Sequence, residues 1–278
     1  MRDVYPDRIH AAHSFPWVLF GLTVVGVLQN IPLTTCERDL DVAELFCGVG
    51  AIWQAGQAAG YNAVGFDKSR VPGITDAIAD ASTCEDILSP AGFMNAVKLV
   101  IRLKQRGLLW LAPMCSSFCW LSLSVMKRRR NNNYMGDELV PAVVEGTLAA
   151  KASAFLMTLA YVRGVDSVLE NPVDSSMFPM FRLAGALTFC TTRVCCMRCP
   201  FAVEPDGQRH WKRYVFLSYC AWVNRLRRKC SCPSKQHIKL TKKVLGVVTG
   251  IKKSACVSSL PSSSGQRHHF CMGGRHHM

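Results

Sequence analysis

The chain has 278 residues, of which 49% are hydrophobic and 19% are charged, and it carries a net charge of +14. This composition supplies enough apolar side chains for one sizeable core and excludes a wholly disordered chain. The positive charge favours polyanionic partners, above all nucleic acid. The fourteen cysteines lie partly in apolar, strand-like runs, which favours free thiols in a reducing compartment over a secreted disulfide scaffold.

The first 38 residues form an extension ahead of the folded domain and contain an apolar run from Phe15 to Leu28. The run is shorter than the roughly 20 residues of a membrane span. Arg2 and Arg8 precede it, a pattern that also suits a signal peptide or signal anchor. We favour a packing helix here and predict an intracellular protein, nuclear or cytoplasmic. Membrane association through residues 15–33 is the alternative.

Strand and helix patterns alternate from Asp41 onward. In chain order they predict a strand at DVAEL, a helix at AIWQAGQAAG, a strand at NAVGF, a helix at PAGFMNAVKLVIRLKQRG, a strand at LLWLAP, a long helix at LVPAVVEGTLAAKASAFLMTLAYVRG and a strand at VDSVL. This alternation indicates an α/β fold with a doubly wound, mostly parallel sheet. Ligands of such sheets bind at the carboxyl ends of the strands.

The chain beyond Phe181 is rich in Cys, Arg and Lys, and its periodic pattern is weaker. YVFLSY predicts a strand there, and AWVNRLRRK predicts a short helix. We divide the chain into the extension at 1–38, a main domain at 39–185, a small basic, cysteine-rich lobe at 186–253 that completes the domain, and a tail at 254–278. The tail is rich in Ser, Gly and His, which predicts disorder.

A glycine turn follows the first predicted strand and reads ELFCGVG, with Gly48 and Gly50 at its end. Glycine lets a backbone approach a ligand closely. Asp67 follows the second strand, where a carboxylate can accept hydrogen bonds from a ribose diol. Trp53 stands where the dinucleotide pattern has its third glycine. The turn therefore argues against NAD and leaves other adenosyl cofactors open.

The segment ELFCGVGAIWQAGQAAGYNAVGFDK resembles the first two motifs of the cytosine-C5 methyltransferases, whose (D/E)LFxGxGG-type loop holds S-adenosylmethionine. The resemblance spans roughly residues 41–232. It implies a Rossmann-like methyltransferase fold, with 39–185 as the cofactor-binding catalytic domain. By position, the residues that would border the cofactor are Phe46, Gly48, Val49 and Gly50, with Asp67 on its ribose. Asp86 or Asp80 would lie near its adenine.

The segment PMCSSF, from Pro113 to Phe118, resembles the Pro-Cys loop of the same family. The resemblance gives Cys115 the position of the nucleophile, with Pro113 shaping its loop. A thiolate that adds to C6 of cytosine turns the ring into an enamine, whose C5 can take the methyl group of the cofactor. A soft, polarisable thiolate suits a step in which the nucleophile must both add and leave.

The tripeptide ENP at residues 170–172 resembles the family's ENV motif. Glu170 would hydrogen-bond N3 and the exocyclic amine of the base, which makes C6 more electrophilic. Asn171 would fix the loop that carries Cys115. Three motifs in family order predict methyl transfer from S-adenosylmethionine to C5 of a flipped cytosine in nucleic acid, in DNA rather than RNA. The alternative is a nucleic-acid-binding protein on the same fold without activity.

Basic residues near these motifs are candidates for nucleic-acid contact. Arg128 and Arg129 follow the Cys115 loop, and Arg209 and Arg213 lie in QRHWKR, which corresponds to the family's QxRxR segment. The alternative for all four is an ordinary solvated surface. The sequence indicates no obligate protein partner.

A zinc site in the lobe is a further alternative. Cys196 and Cys199 have CxxC spacing, and Cys230, Cys232 and His237 can complete the ligand set. Reduced cysteines in a loosely packed lobe explain the same pattern, and we predict no metal on this basis, because the second cysteine pair is not a clean CxxC.

Overall fold

The computed structural model describes residues 37–68, 86–198, 209–210, 212–233, 237–238, 241–244 and 247–250. The apolar run at 15–33, Asp80, Cys199 and the tail at 254–278 lie outside the described residues, so the predictions made for them stay predictions.

The described part of the chain is a mixed α/β structure. Its strands are β1 (Leu40–Leu45), β2 (Ala63–Phe66), β3 (Leu103–Leu111), β4 (Asp166–Pro172), β5 (Thr192–Met197), β6 (Arg209–His210), β7 (Arg213–Ser218), β8 (His237–Ile238), β9 (Thr241–Val244) and β10 (Val247–Gly250). Its α-helices are α1 (Ala51–Ala58), α2 (Pro90–Arg102), α3 (Leu123–Met126), α4 (Pro141–Val162) and α5 (Met177–Leu183). Short 3-10 helices lie at Trp120–Ser122, Arg130–Asn132 and Ala221–Leu226.

A six-stranded sheet with the order β2-β1-β3-β4-β7-β5 forms the centre of the fold. The pairs β1–β2, β1–β3 and β3–β4 are parallel, whereas β7 runs antiparallel to both of its neighbours. The chain moves outward from β1 to β2 and then crosses back to β3. The gap between the carboxyl ends of β1 and β3 is therefore the switch point at which open α/β sheets bind ligands.

Helices cover both faces of this sheet, because side chains alternate along each strand. Ala43 and Leu45 of β1 join the large core formed with α2, α4 and α5, whereas Val42 packs with Trp53 of α1 on the opposite face. The sequence prediction of a doubly wound, mostly parallel sheet agrees with this layering.

Two of the predicted helices differ in length or type from those in the structure. The helix predicted over PAGFMNAVKLVIRLKQRG ends at Arg102, and β3 begins at the next residue. Leu103 is fully buried and pairs with Leu40, so sheet pairing overrides the helical spacing there. The helix predicted at AWVNRLRRK is a 3-10 helix over Ala221–Leu226. Sequence patterns missed β5 and α5.

The predicted lobe at 186–253 contributes two strands, β5 and β7, to the same sheet as the predicted catalytic domain.

Among the described helices, α4 is long and apolar enough to cross a membrane, but half of its apolar stretch is buried inside the protein. It packs against α2, β3 and β4, which is the environment of a core helix.

Candidate functional site

A cavity of about 260 Å³ opens at the carboxyl ends of the central strands. Its lining residues are Phe46, Asp67, Lys68, Asp86, Ile87, Leu88, Ala112 and Met114. Phe46 follows β1, Asp67 follows β2 and Ala112 follows β3, so the cavity lies at the switch point of the sheet. Three residues predicted to hold the cofactor, Phe46, Asp67 and Asp86, thus line one cavity.

The glycine turn beside this cavity has two glycines with different roles. The backbone N–H of Gly48 donates to Oδ2 of Asp67 at 2.8 Å, and a Cβ at Gly48 would meet no atom within 4 Å. A Cβ at Gly50 would lie 2.0 Å from Nε1 of Trp53. Gly48 therefore presents an open backbone face, whereas Gly50 is required by the packing of Trp53. Val49 is partly buried between them.

A buried carboxylate, Glu44, closes the first turn of α1. Its Oε2 accepts the backbone N–H groups of Ile52 and Trp53, both at 2.9 Å. Burial raises the pKa of Glu44 to about 7, and the charges of Glu170 and Asp67 act in the same direction. Dinucleotide folds use such N–H groups to bind pyrophosphate. Here they are bonded to a carboxylate of the chain, so the turn disfavours an anionic ligand.

Sequence reasoning did not identify Glu44. An acidic residue near the end of an otherwise apolar, buried strand could have indicated its role. A carboxylate buried in that position must find hydrogen-bond donors.

Cys115 lies in a helical turn after β3 and is partly buried. The backbone N–H groups of Phe118 and Cys119 donate to its carbonyl oxygen at 2.9 and 3.0 Å. The Cys119 thiol hydrogen-bonds the Cys115 sulfur and lowers the pKa of Cys115 to about 7; burial opposes this effect, and the charge of Lys212 supports it. The pKa of Cys119 is raised by the same pairing. Cys115 is therefore the thiol of the pair that ionises more readily and is the more reactive one.

Asn171 ties the beginning of the Cys115 loop to β4. Its buried Nδ2 donates to the carbonyl oxygen of Pro113 at 3.0 Å. The end of the loop is held by Ser176, whose backbone N–H and hydroxyl donate to the carbonyl oxygen of Phe118 at 2.9 and 3.1 Å. The loop is thus fixed at both ends, by Asn171 within β4 and by Ser176 after it.

Arg128 supports the loop from inside the protein, with 0% of its surface exposed. Its guanidinium lies 3.9 Å from the ring centre of Phe118. The acceptors of its hydrogen bonds, at 2.8–3.2 Å, are the carbonyl oxygens of Tyr134, Met135 and Val143 and the hydroxyls of Ser117 and Thr147. Burial lowers its pKa to about 10. The prediction that Arg128 contacts nucleic acid is wrong, because its donors face the protein interior.

Glu170 and Lys212 complete the surroundings of Cys115. Burial raises the pKa of Glu170, although the charge of Lys212 and the indole N–H of Trp110 act against it. Burial acts to lower the pKa of Lys212, but the nearby Tyr214, Cys115 and Glu170 outweigh it and raise that pKa. Since β7 runs antiparallel to β4, Lys212 at its start lies beside the end of β4.

Sequence reasoning missed Lys212 and selected its neighbours instead. Arg213 is exposed and forms an ion pair with Asp174 at 3.4 Å. Arg209 lies in β6, and Arg129 is exposed. Nucleic-acid contact by Arg129, Arg209 and Arg213 stays a prediction.

The cysteines of the predicted zinc site are only partly together. Cys196 is buried on β5 within the core cluster that contains Trp110. Among the described residues, the possible metal ligands that gather are Cys230, Cys232 and His237. Cys196 does not belong to that group, because its position on the strand directs it into the core.

Comparisons with known proteins identify one structural neighbour by name. No protein-family model matches the chain, and no curated protein matches it. Among solved structures the chain is similar to the Entamoeba histolytica methyltransferase EhMeth, with 12% sequence identity and a TM-score of 0.37. The match covers 70% of this chain and 58% of that chain. The chain thus spans less than two thirds of that methyltransferase, and a likeness at this level assigns neither family nor activity.

Proposed function

We propose that the protein transfers a methyl group from S-adenosylmethionine to C5 of a cytosine in nucleic acid, in DNA rather than RNA. The observation that carries the proposal is a thiol with a pKa of about 7, Cys115, close to Glu170 and one residue beyond the wall of the strand-edge cavity. The motif resemblance of Cys115, Glu170 and Asn171 supplies the identity of the reaction.

The cavity suits an adenosyl cofactor with a positive charge. Asp67 can accept several hydrogen bonds at once, so it can hold Gly48 and also meet ribose hydroxyls. Asp86, which also lines the cavity, would be the acidic residue for the adenine end. The acidic side chains of Asp67 and Asp86 in the cavity lining favour a cationic sulfur over a pyrophosphate. S-adenosylmethionine, when bound, supplies an electrophilic methyl group.

The chain's own residues then account for the activation of the base. The Cys115 thiolate adds to C6, and the charge of Lys212 favours the ionised sulfur. Glu170 keeps its proton at higher pH than an ordinary glutamate, so it can donate a hydrogen bond to N3 as the ring gains electron density. With S-adenosylmethionine bound, the electron pair at C5 would form the new C5–methyl bond while the methyl–sulfur bond of the cofactor breaks, and the electron pair of that bond would leave with S-adenosylhomocysteine. Loss of the C5 proton then restores the double bond and expels Cys115 as a thiolate.

The basic character of the chain supports a nucleic-acid substrate. Arg129 and Arg130 are exposed just beyond the Cys115 loop, where they can meet a phosphate backbone. Cys115 is partly buried, so a base within a duplex has to leave the stack to reach it.

A trapping experiment tests the proposal. Full-length protein is incubated with S-adenosylmethionine and with DNA and RNA oligonucleotides that contain 5-fluorocytosine. Fluorine cannot leave C5 as a proton does, so the bond between Cys115 and C6 should persist after methyl transfer. We expect a covalent adduct that requires the cofactor and that peptide mass spectrometry locates at Cys115.

The controls separate the enzyme from its alternative. Cys115→Ser should form no adduct, whereas Cys195→Ser, at an exposed cysteine of β5, should form it normally. Cofactor and nucleic-acid binding without any adduct would indicate the binding protein without activity. An adduct on Cys119 would overturn the assignment of the nucleophile.

A further inference from the structure

We propose that Cys230, Cys232 and His237 bind one zinc ion at a site separate from the Cys115 loop. Their ligand atoms, two thiol sulfurs and one imidazole nitrogen, all lie within 4.8 Å of one another. Sγ of Cys230 is 3.2 Å from Nε2 of His237. All three residues are partly buried, so the group is shielded yet open to an ion from solvent.

The donor set and its dimensions suit zinc. Zinc prefers thiolate and imidazole ligands in a tetrahedron, with Zn–S near 2.3 Å and Zn–N near 2.0–2.1 Å. Those lengths put a sulfur and a nitrogen ligand ~3.5 Å apart, so the pair of Cys230 and His237 needs to separate by only a few tenths of an ångström. Binding would release the two thiol protons and leave a neutral centre, with a water at the fourth position.

The turn that carries the two cysteines is already arranged around a sulfur. The backbone N–H of Cys232 points at Sγ of Cys230, at 3.3 Å. An N–H group directed at a sulfur orients it as a ligand. The Cys-x-Cys spacing thus places both sulfurs on one side of a tight turn.

The ion would join the cysteine turn to the strand β8, which carries His237. The cysteine turn is attached to the main sheet through Arg228, whose carbonyl oxygen accepts the N–H of Met197 at 3.1 Å. His237 lies in β8, which pairs with β6 in the register of His237 with Arg209. Two strands of two residues each are marginal without further support. A zinc ion would fasten this pair to the turn, close in the chain to Lys212.

Cobalt substitution in the full-length protein tests the site. Co²⁺ loaded in place of zinc should bind once per chain and show thiolate-to-cobalt charge-transfer bands with tetrahedral d–d bands. Cys230→Ser and Cys232→Ser should each lose the thiolate bands. Cys195→Ser should retain them, because that cysteine lies on β5 and outside the ligand group. A variant with His268, His269, His276 and His277 changed to Ala removes adventitious binding by the tail.

A second measurement needs no substitution and so does not depend on whether a variant folds. Zinc should protect Cys230 and Cys232 of the native chain from alkylation, measured by peptide mass spectrometry, while Cys195 reacts equally with and without zinc. Three results would each overturn the proposal. They are metal binding without thiolate bands, metal binding that is lost only in the tail variant, and equal alkylation of Cys230 with and without zinc.

Discussion

Two cysteine-bearing turns of this molecule are held in different ways. The Cys115 loop is bonded at Pro113 to Asn171 and is packed against the buried Arg128. Among the described residues, the partly buried turn of Cys230 and Cys232 follows Arg228, which is hydrogen-bonded to Met197 of β5, and precedes the two-residue strand β8, which pairs with β6. A nucleophile that must add and leave has to be held in position by hydrogen bonds and packing within the protein. The two thiols of the second turn gain a fixed geometry most readily from a bound ion.

The largest expected effect concerns the nucleophile of the first turn. Cys115→Ser should reduce the rate of methyl transfer by about a thousandfold or more, because a serine hydroxyl is far less acidic and less polarisable than a thiol. Initial rates with labelled S-adenosylmethionine measure this. Cys195→Ser is the control, and a similar loss in both variants would mean that Cys115 has no special role.

Arg128→Met should lower the free energy of unfolding by about 3–5 kcal/mol, because it leaves buried carbonyl and hydroxyl groups without donors. Arg129→Met, at the exposed neighbour, should change it by less than about 0.5 kcal/mol. Urea unfolding of both variants provides the comparison. Equal effects would show that the Cys115 loop is not supported from inside.

Removal of zinc addresses the second turn. If the free metal stands at 100 to 1,000 times its dissociation constant, a chelator should lower the free energy of unfolding by about 2.7–4.1 kcal/mol. Thermal unfolding of the metal-loaded chain with and without a chelator measures this. A stability that is indifferent to zinc would mean that the turn needs no ion, and the contrast between the two turns would fail.

Asn171→Ala should have a smaller effect on the first turn. It leaves the Pro113 carbonyl oxygen without its donor, which costs about 1–3 kcal/mol of stability, and it should slow methyl transfer by about 10- to 100-fold through misplacement of Cys115. Asn224→Ala removes a comparable but exposed hydrogen bond, to the carbonyl oxygen of Ala221 at 3.1 Å, and serves as the control. A full rate in Asn171→Ala would contradict the positioning role.

The smallest expected effect is a displacement along the pH axis. In the native protein the rate should rise with pH through about 7, as the Cys115 thiol ionises. Cys119→Ala removes the hydrogen bond that stabilises the thiolate, so the rising limb should move to higher pH by about one unit. Cys119→Ser keeps a donor and should stay near the native profile. If the pH at which the rate rises is the same in Cys119→Ala as in the native protein, Cys119 does not control the pKa of Cys115.

Local patterns were sufficient for the elements around the sheet edge. Alternating apolar residues and a glycine turn predict β1 and α1, and an acidic residue after the next strand predicts Asp67 at the cavity. The motif resemblance implied that Asn171 fixes the Cys115 loop, but its hydrogen bond to Pro113 joins residues 58 positions apart and follows from no local pattern. The strand, the helix and the glycine turn each have a local sequence pattern that reflects their own backbone conformation. They can therefore be predicted without knowing which segments of the chain come into contact.

Other features depend on contacts between distant segments. Arg128 and Arg129 are adjacent and chemically identical, yet packing buries the first and exposes the second. Lys212 reaches the Cys115 surroundings because β7 pairs with β4 in the opposite direction. A one-residue change of register turns a side chain to the other face of a strand, so strand pairing and not local composition selects which side chains share a site.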